Sequence, residues 1–101
     1  MKSLLMGEAA SPEVIQRIEG ELEQSPGVRR VISVLTQHLG PEDLLVAAKV
    51  QFDTALSMAE LADTIDGCEA RVRGAVPIAE FIYLEPVARE ADAVGPGESL
   101  P

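Results

Sequence analysis

The sequence predicts a two-layer α+β sandwich in which two helices cover one face of a three-stranded sheet. Three observations lead to this fold class: two segments with apolar residues at helical spacing, three segments with alternating apolar residues, and their order of helix, strand, strand, helix, strand. The 101 residues are 47% hydrophobic and 25% charged, which fits one small globular domain with a modest core. The other face of the sheet stays open, and apolar side chains on such a face usually mark an interface.

The first helix is predicted to begin after Ser11. This serine can cap the helix, Pro12 suits the first helical position, and Glu13 complements the helix dipole. The helix is predicted to end at residues 25–27, which read Ser-Pro-Gly. Its apolar residues fall on one face and are Val14, Ile15, Ile18 and Leu22.

A hairpin is predicted to follow, with strands at residues 28–38 and 44–52 joined by a Gly-Pro turn. Each strand has two faces because side chains alternate with a period of two. In the first strand one face is predicted to carry Ile32, Val34, Thr36 and His38, and the other Val31, Ser33, Leu35 and Gln37. In the second strand one face is predicted to carry Leu44, Val46, Ala48, Val50 and Phe52, and the other Leu45, Ala47, Lys49, Gln51 and Asp53.

The second helix is predicted to begin with a capping box formed by Ser57 and Glu60 and to end at Gly74. The third strand is predicted from residue 78 until Pro86 closes it. Its faces are expected to carry Ile78, Glu80, Ile82 and Leu84 on one side, and Phe81, Tyr83 and Glu85 on the other. Residues 88–101 hold few apolar groups and are predicted to be a disordered tail.

Charge and residue counts exclude several classes of function. The chain has 17 acidic and 8 basic residues, a net charge of −9, which argues against nucleic acid or an anionic lipid surface and leaves a multivalent cation as a compatible partner. A single cysteine, Cys68, excludes an intramolecular disulfide, and its place on the apolar helix stripe indicates a small buried side chain. A single histidine, His38, lies near no activated serine or cysteine, so the chain is predicted not to be an enzyme.

Candidate metal ligands are few. His38 stands beside the Gly-Pro turn, where an exposed histidine without a metal role is one interpretation and a metal ligand is the other. One imidazole binds a divalent cation weakly, so the second interpretation needs carboxylates from Asp53 or Glu85 and a further set from a symmetry-related copy. Phe81 and Tyr83 share the open face, where an interface role is favoured over a ligand pocket.

Four stretches, in order along residues 2–87, resemble one known family. Residues 2–11 resemble the segment that leaves the last membrane helix of cation diffusion facilitator transporters. Residues 26–31 (PGVRRV) resemble that family's entry to its first cytosolic strand, residues 35–41 (LTQHLGP) its turn, and residues 45–50 (LVAAKV) its second strand.

The resemblance implies a cytosolic C-terminal domain with a ferredoxin-like, metallochaperone-like fold on the cytoplasmic side of the cell membrane. Residues 1–10 would be the linker from the membrane domain, residues 11–87 the domain itself and residues 88–101 the tail. In the family this domain forms a homodimer beneath the membrane domain, which carries out the transport. Zinc or another divalent cation binds near the dimer interface in many members and pulls the two copies together, although the fold does not require it.

The family's usual metal ligands are mostly replaced in this chain. The positions of three frequent histidines are matched by Lys49, Ala62 and Tyr83, and an acidic position is matched by Glu85. An ammonium group repels a cation, so the usual site is expected to be degraded.

Two functions remain open at this point. The first is the regulatory and dimerisation domain of a divalent-cation efflux transporter. The alternative is a stand-alone ferredoxin-like sensor or interaction module without a role in transport, since an open sheet face can also bind a ligand or a partner.

Overall fold

The computed structural model describes residues 8–88 and confirms the predicted fold class. The sheet order is β1-β2-β3, with β1 antiparallel and β3 parallel to β2. A parallel pair needs a long connection, and α2 provides it between β2 and β3. The elements are α1 (Pro12–Glu23), β1 (Val28–Gly40), β2 (Asp43–Phe52), α2 (Met58–Ala75) and β3 (Ala79–Val87). Residues 1–7 of the predicted linker and residues 89–101 of the predicted tail lie outside the described residues.

Both helices pack on the same face of the sheet, as the alternation in β2 predicts. Ile18 and Leu22 of α1 and Cys68 and Val72 of α2 are fully buried. They meet alternate residues of β2, whose opposite neighbours are only half-buried. The buried residues of β2 are Leu44, Val46, Ala48, Val50 and Phe52. None of the helices within residues 8–88 is long and apolar enough to cross a membrane.

The predicted helix caps are confirmed. The Ser11 side chain accepts a hydrogen bond from the backbone N–H of Val14 at 3.3 Å, which satisfies one of the free donors at the start of α1. At α2 the Ser57 hydroxyl accepts from the Glu60 N–H at 3.1 Å, and the Glu60 carboxylate accepts from the Ser57 N–H at 2.8 Å. The capping box therefore fixes where the crossover helix begins.

The predicted faces of β1 are wrong at one position. Val31 was expected to share a face with Ser33 and Leu35, but it lies opposite the fully buried Val50 and packs against the core. A β-bulge passes the register from Val31 directly to Ser33, so Ile32 is the extra residue. Since one inserted residue reverses the alternation, the bulge moves Val31 to the helix side.

A second bulge changes the faces of β3. Glu80 was predicted to share a face with Ile82, but the register passes from Ala79 to Phe81 and Glu80 is exposed. Pro86 does not close this strand, which continues to Val87. Because β3 is an edge strand, proline is tolerated there.

Other boundaries differ from the predictions by one or two residues, among them a start of β2 at Asp43 and of β3 at Ala79. α2 does not end at Gly74 but continues to Ala75. β1 does not end at His38 but continues to Gly40, beside the turn.

Candidate functional site

The face of the sheet turned away from the helices is called the open face here, and it is defined by three rows that run across the strands. Each row holds one residue from each strand in register, with its side chain on the side opposite the buried residues of β2. The rows are Gln37–Leu45–Phe81, Leu35–Ala47–Tyr83 and Ser33–Lys49–Glu85. Apart from Gln37, the open face is thus apolar over two rows, and it is charged in the third.

Large apolar side chains stand exposed on the open face. Leu35 is 64% exposed, Tyr83 63% and Phe81 43%. Sequence reasoning placed Phe81 and Tyr83 on this face, and the strand register puts both there. A contiguous exposed apolar group of this kind is typical of an interaction site.

The third row brings together two opposite charges. Lys49 and Glu85 are register partners on neighbouring parallel strands, which places them about 5 Å apart across the sheet. Within the described residues neither side chain forms an ion pair or a hydrogen bond. The Lys49 ammonium and the Glu85 carboxylate are therefore both available to a binding partner.

His38 lies on the helix side of the sheet, and the expectation of an exposed turn histidine is wrong. Only 8% of the residue is exposed. Its ring Nδ1 lies 3.1 Å from the carbonyl oxygen of Gly40, and its backbone N–H donates to the Glu8 carbonyl at 2.7 Å. The segment before α1 covers this end of β1 and buries the imidazole.

Asp53 follows β2 at the opposite end of the sheet. Its carboxylate accepts a hydrogen bond from the Ala55 N–H at 3.0 Å, and its own backbone N–H donates to the Gly27 carbonyl at 2.9 Å. These bonds shape the loop that leads into α2.

The three predicted metal ligands do not meet within one copy of the chain. His38 is in register with Leu44 on the helix side, whereas Glu85 is in register with Lys49 on the open face. Five positions of β2 separate these two rows, which corresponds to about 17 Å. Asp53 lies further along the same direction. Among residues 8–88, no three His, Cys, Asp or Glu side chains are grouped closely enough to hold a metal ion.

Cys68 is fully buried on the core side of α2, as its apolar stripe predicts. Burial raises the pKa of its thiol, because removal from water disfavours the thiolate, and this outweighs the opposing effects of the Ser25 hydrogen bond and of Arg71. A thiol held in its neutral form is a poor metal ligand and a poor nucleophile.

Two surface pockets were not foreseen in the sequence. One of about 350 Å³ lies where β2 and β3 end and α2 begins, and Phe52, Leu56, Leu61 and Val87 contribute to its lining. The other, of about 480 Å³, lies where the segment before α1 meets His38. Both depend on how connecting segments pack on the sheet, which residue periodicity does not encode.

A comparison with known protein families finds a match over most of the chain. A sequence model described as the cytoplasmic domain of cation efflux proteins matches residues 10–87. No curated protein sequence matches the chain significantly. The MamM CTD has this fold in several solved structures. A double variant of the MamM CTD is 27% identical, with a TM-score of 0.70 over 76% of this chain and 92% of that chain.

Metal-bearing forms of the MamM CTD are among these structures. A nickel form is 24% identical, with a TM-score of 0.72 over 78% of this chain and 99% of that chain. A cadmium form is 24% identical, with a TM-score of 0.71 over 77% of this chain and 96% of that chain. At this level of identity the likeness shows a shared fold.

Proposed function

Because this chain belongs to the family of cation efflux protein cytoplasmic domains, we propose that it is the dimerisation and regulatory domain of a transporter that exports zinc or another divalent cation. In this proposal the chain works on the cytoplasmic side of the cell membrane, attached to the transmembrane domain of the same transporter. It has no catalytic role and no nucleic-acid partner.

The open face is the observation that carries the dimerisation part of the proposal. Phe81 and Tyr83 expose large apolar surfaces on β3, and Leu35 does so on β1, across Leu45 and Ala47 of β2. Covering them with a second copy removes apolar surface from water, and a domain this small gains stability from such burial. Phe81 and Tyr83 are therefore proposed as interface residues.

The segment before α1 supports the link to a membrane domain. Glu8 and Ala10 are bonded to β1 through the backbone of His38 and the side chain of Thr36. This segment resembles the family's connection from the last membrane helix. A movement of the sheet would therefore be transmitted to the chain that precedes α1.

Cation binding is proposed as the regulatory signal. The net charge of −9 favours cations, and the MamM CTD has nickel, cadmium and manganese forms. His38, Asp53 and Glu85 are the proposed ligands, and since one copy keeps them apart, a cation would need groups from a second copy or water. Glu85 is the weakest of the three because the Lys49 ammonium stands beside it.

A cation regulates only if it binds two arrangements of the dimer with different affinity. In this proposal it favours the arrangement in which the two copies are drawn together. Folding itself needs no cation, because apolar side chains from both helices and all three strands fill the core.

Titration calorimetry with zinc, combined with sedimentation analysis of the chain with and without zinc, tests the proposal. We expect a dimer and a measurable heat of binding that decreases in His38→Ala and Asp53→Ala variants. A chain that stays monomeric at high concentration and is indifferent to zinc would contradict the proposal.

The apolar pocket at the end of β2 and β3 favours a second candidate, a stand-alone ferredoxin-like module that senses a small molecule or binds a partner. Its volume of about 350 Å³ is within the range of small-ligand sites. The coding sequence upstream separates the two functions. Six membrane helices encoded directly before this chain would exclude the second candidate.

A further inference from the structure

On the open face, the side chains of β2 complement those of β3 in both size and charge. In the three rows of the open face, β2 contributes Leu45, Ala47 and Lys49, and β3 contributes Phe81, Tyr83 and Glu85. In the second row the small side chain of Ala47 lies beside the large ring of Tyr83. In the third row the ammonium of Lys49 lies beside the carboxylate of Glu85. A surface with this pattern can match a copy of itself, because one two-fold axis sets the β2 side chains of each copy against the β3 side chains of the other.

We propose that two copies of the chain pack open face to open face around a two-fold axis that runs along the strands between β2 and β3, with reciprocal ion pairs between Lys49 of each copy and Glu85 of the other. The inference deepens the proposed function and rests on its dimerisation part. It assigns the interface a source of specificity that requires no metal.

The same two-fold axis brings the apolar side chains of the two copies into complementary contact. It sets Tyr83 over Ala47 of the second copy, so that the large exposed ring lies above a small residue instead of meeting another ring. It also sets Phe81 over Leu45 of the second copy. Sheets that pack in this way interdigitate side chains from their inner faces. Tyr83 is 63% exposed in the single chain, so the contact would cover a large surface.

Charge favours a second copy over other occupants of this face. Each Lys49–Glu85 contact is formed twice because of the symmetry, and neither group has an ion-pair partner within residues 8–88 of its own chain. Apolar neighbours on the face would exclude water, which strengthens an attraction between opposite charges. A divalent cation that binds at Glu85 would then have to displace the Lys49 ammonium of the second copy.

Charge reversal tests the ion pairs by sedimentation equilibrium in the presence of a chelator. Lys49→Glu puts two carboxylates at each contact, and Glu85→Lys puts two ammonium groups there. Each variant alone is expected to raise the dimer dissociation constant on the order of 100-fold. An equimolar mixture of the two variants is expected to form a heterodimer, since every contact then pairs opposite charges. The double variant is expected to regain the homodimer.

Charge reversals away from the open face serve as matched controls. Arg17→Glu and Glu23→Lys change exposed side chains of α1 by the same number of charges and should leave the dimer unchanged. Circular dichroism checks that each variant is folded, and recovery in the mixture is itself independent proof of folding.

Three results would overturn the inference. If Lys49→Glu dimerises as well as the unaltered chain, or if the mixture stays monomeric, the ion pairs are absent while the proposed function stands. If the dimer forms only with zinc, the ion pairs do not hold it and a cation does. If the unaltered chain is monomeric under all conditions, the inference and the dimerisation part of the proposed function fail together.

Discussion

The backbone N–H of Ala10 donates a hydrogen bond to the Thr36 hydroxyl at 2.9 Å, and each of these residues is only 6% exposed. This bond joins the segment before α1 to the middle of β1, 26 residues later in the chain. A buried N–H that loses its acceptor is costly, so the bond fixes where the chain enters the domain.

Thr36→Val is expected to destabilise the domain by about 1–3 kcal/mol, because it keeps the shape of the side chain and leaves the Ala10 N–H without an acceptor. Urea unfolding measures the loss, and amide hydrogen exchange at Ala10 shows whether it arises at this bond. Thr36→Ser keeps the hydroxyl and serves as the control. Equal exchange protection of Ala10 in the Val and Ser variants would contradict the role given to the bond.

Gly27 and Gly20 are expected to respond to alanine in opposite directions. Gly27 has φ +87°, and a Cβ there would approach Thr64 Cγ2 to 3.1 Å, so Gly27→Ala should destabilise by more than about 1 kcal/mol. Gly20 lies inside α1 with open space around it, so Gly20→Ala should stabilise by up to about 1 kcal/mol. Thermal unfolding of both variants measures the difference. A Gly27→Ala variant as stable as the unaltered chain would refute the strain argument.

The stability of the domain is expected to fall as the pH rises above the ordinary thiol pKa of 9.0. Burial raises the pKa of Cys68 in the folded chain, so above 9.0 the unfolded chain loses the thiol proton first and unfolding is favoured. Below 9.0 both states keep the proton and the contribution is constant. Urea unfolding of the unaltered chain and Cys68→Ala between pH 7 and 10.5 isolates this slope. Parallel pH profiles for the two chains would show that the thiol does not contribute.

Periodicity predicted the elements that pack directly on the core. The alternation of residues 44–52 identified β2 and its buried face, and the Ser57 and Glu60 pair located the start of α2. Both patterns are local. The burial of a strand residue and the capping role of a helix residue depend on neighbours that are close in sequence.

The mistakes have a different physical origin. Val31 and Glu80 were placed on the wrong faces because β-bulges add one residue to a strand, and a bulge leaves little trace in the pattern of apolar residues. Gly74 did not end α2, since glycine inside a helix costs only about 1 kcal/mol and tertiary packing outweighs it.

The candidate site was only partly predictable for a similar reason. Phe81 and Tyr83 were placed correctly because a strand has only two faces. His38 was expected to be exposed, but residues 8–10 pack over it, and their contact with β1 is a long-range feature. The strand register also separates His38 from Asp53 and Glu85, and register is not determined by the composition of either strand alone.

The proposed dimer requires that two copies of this domain meet through the open face. Sedimentation equilibrium of the unaltered chain and Tyr83→Asp, measured side by side, tests it most directly. Tyr83 is 63% exposed in the single chain, so the substitution should leave the fold intact and place a buried carboxylate in the dimer. We expect a dimer of the 10.7 kDa chain for the unaltered protein and a monomer for the variant. A monomeric unaltered protein, or a variant that dimerises equally well, would contradict it.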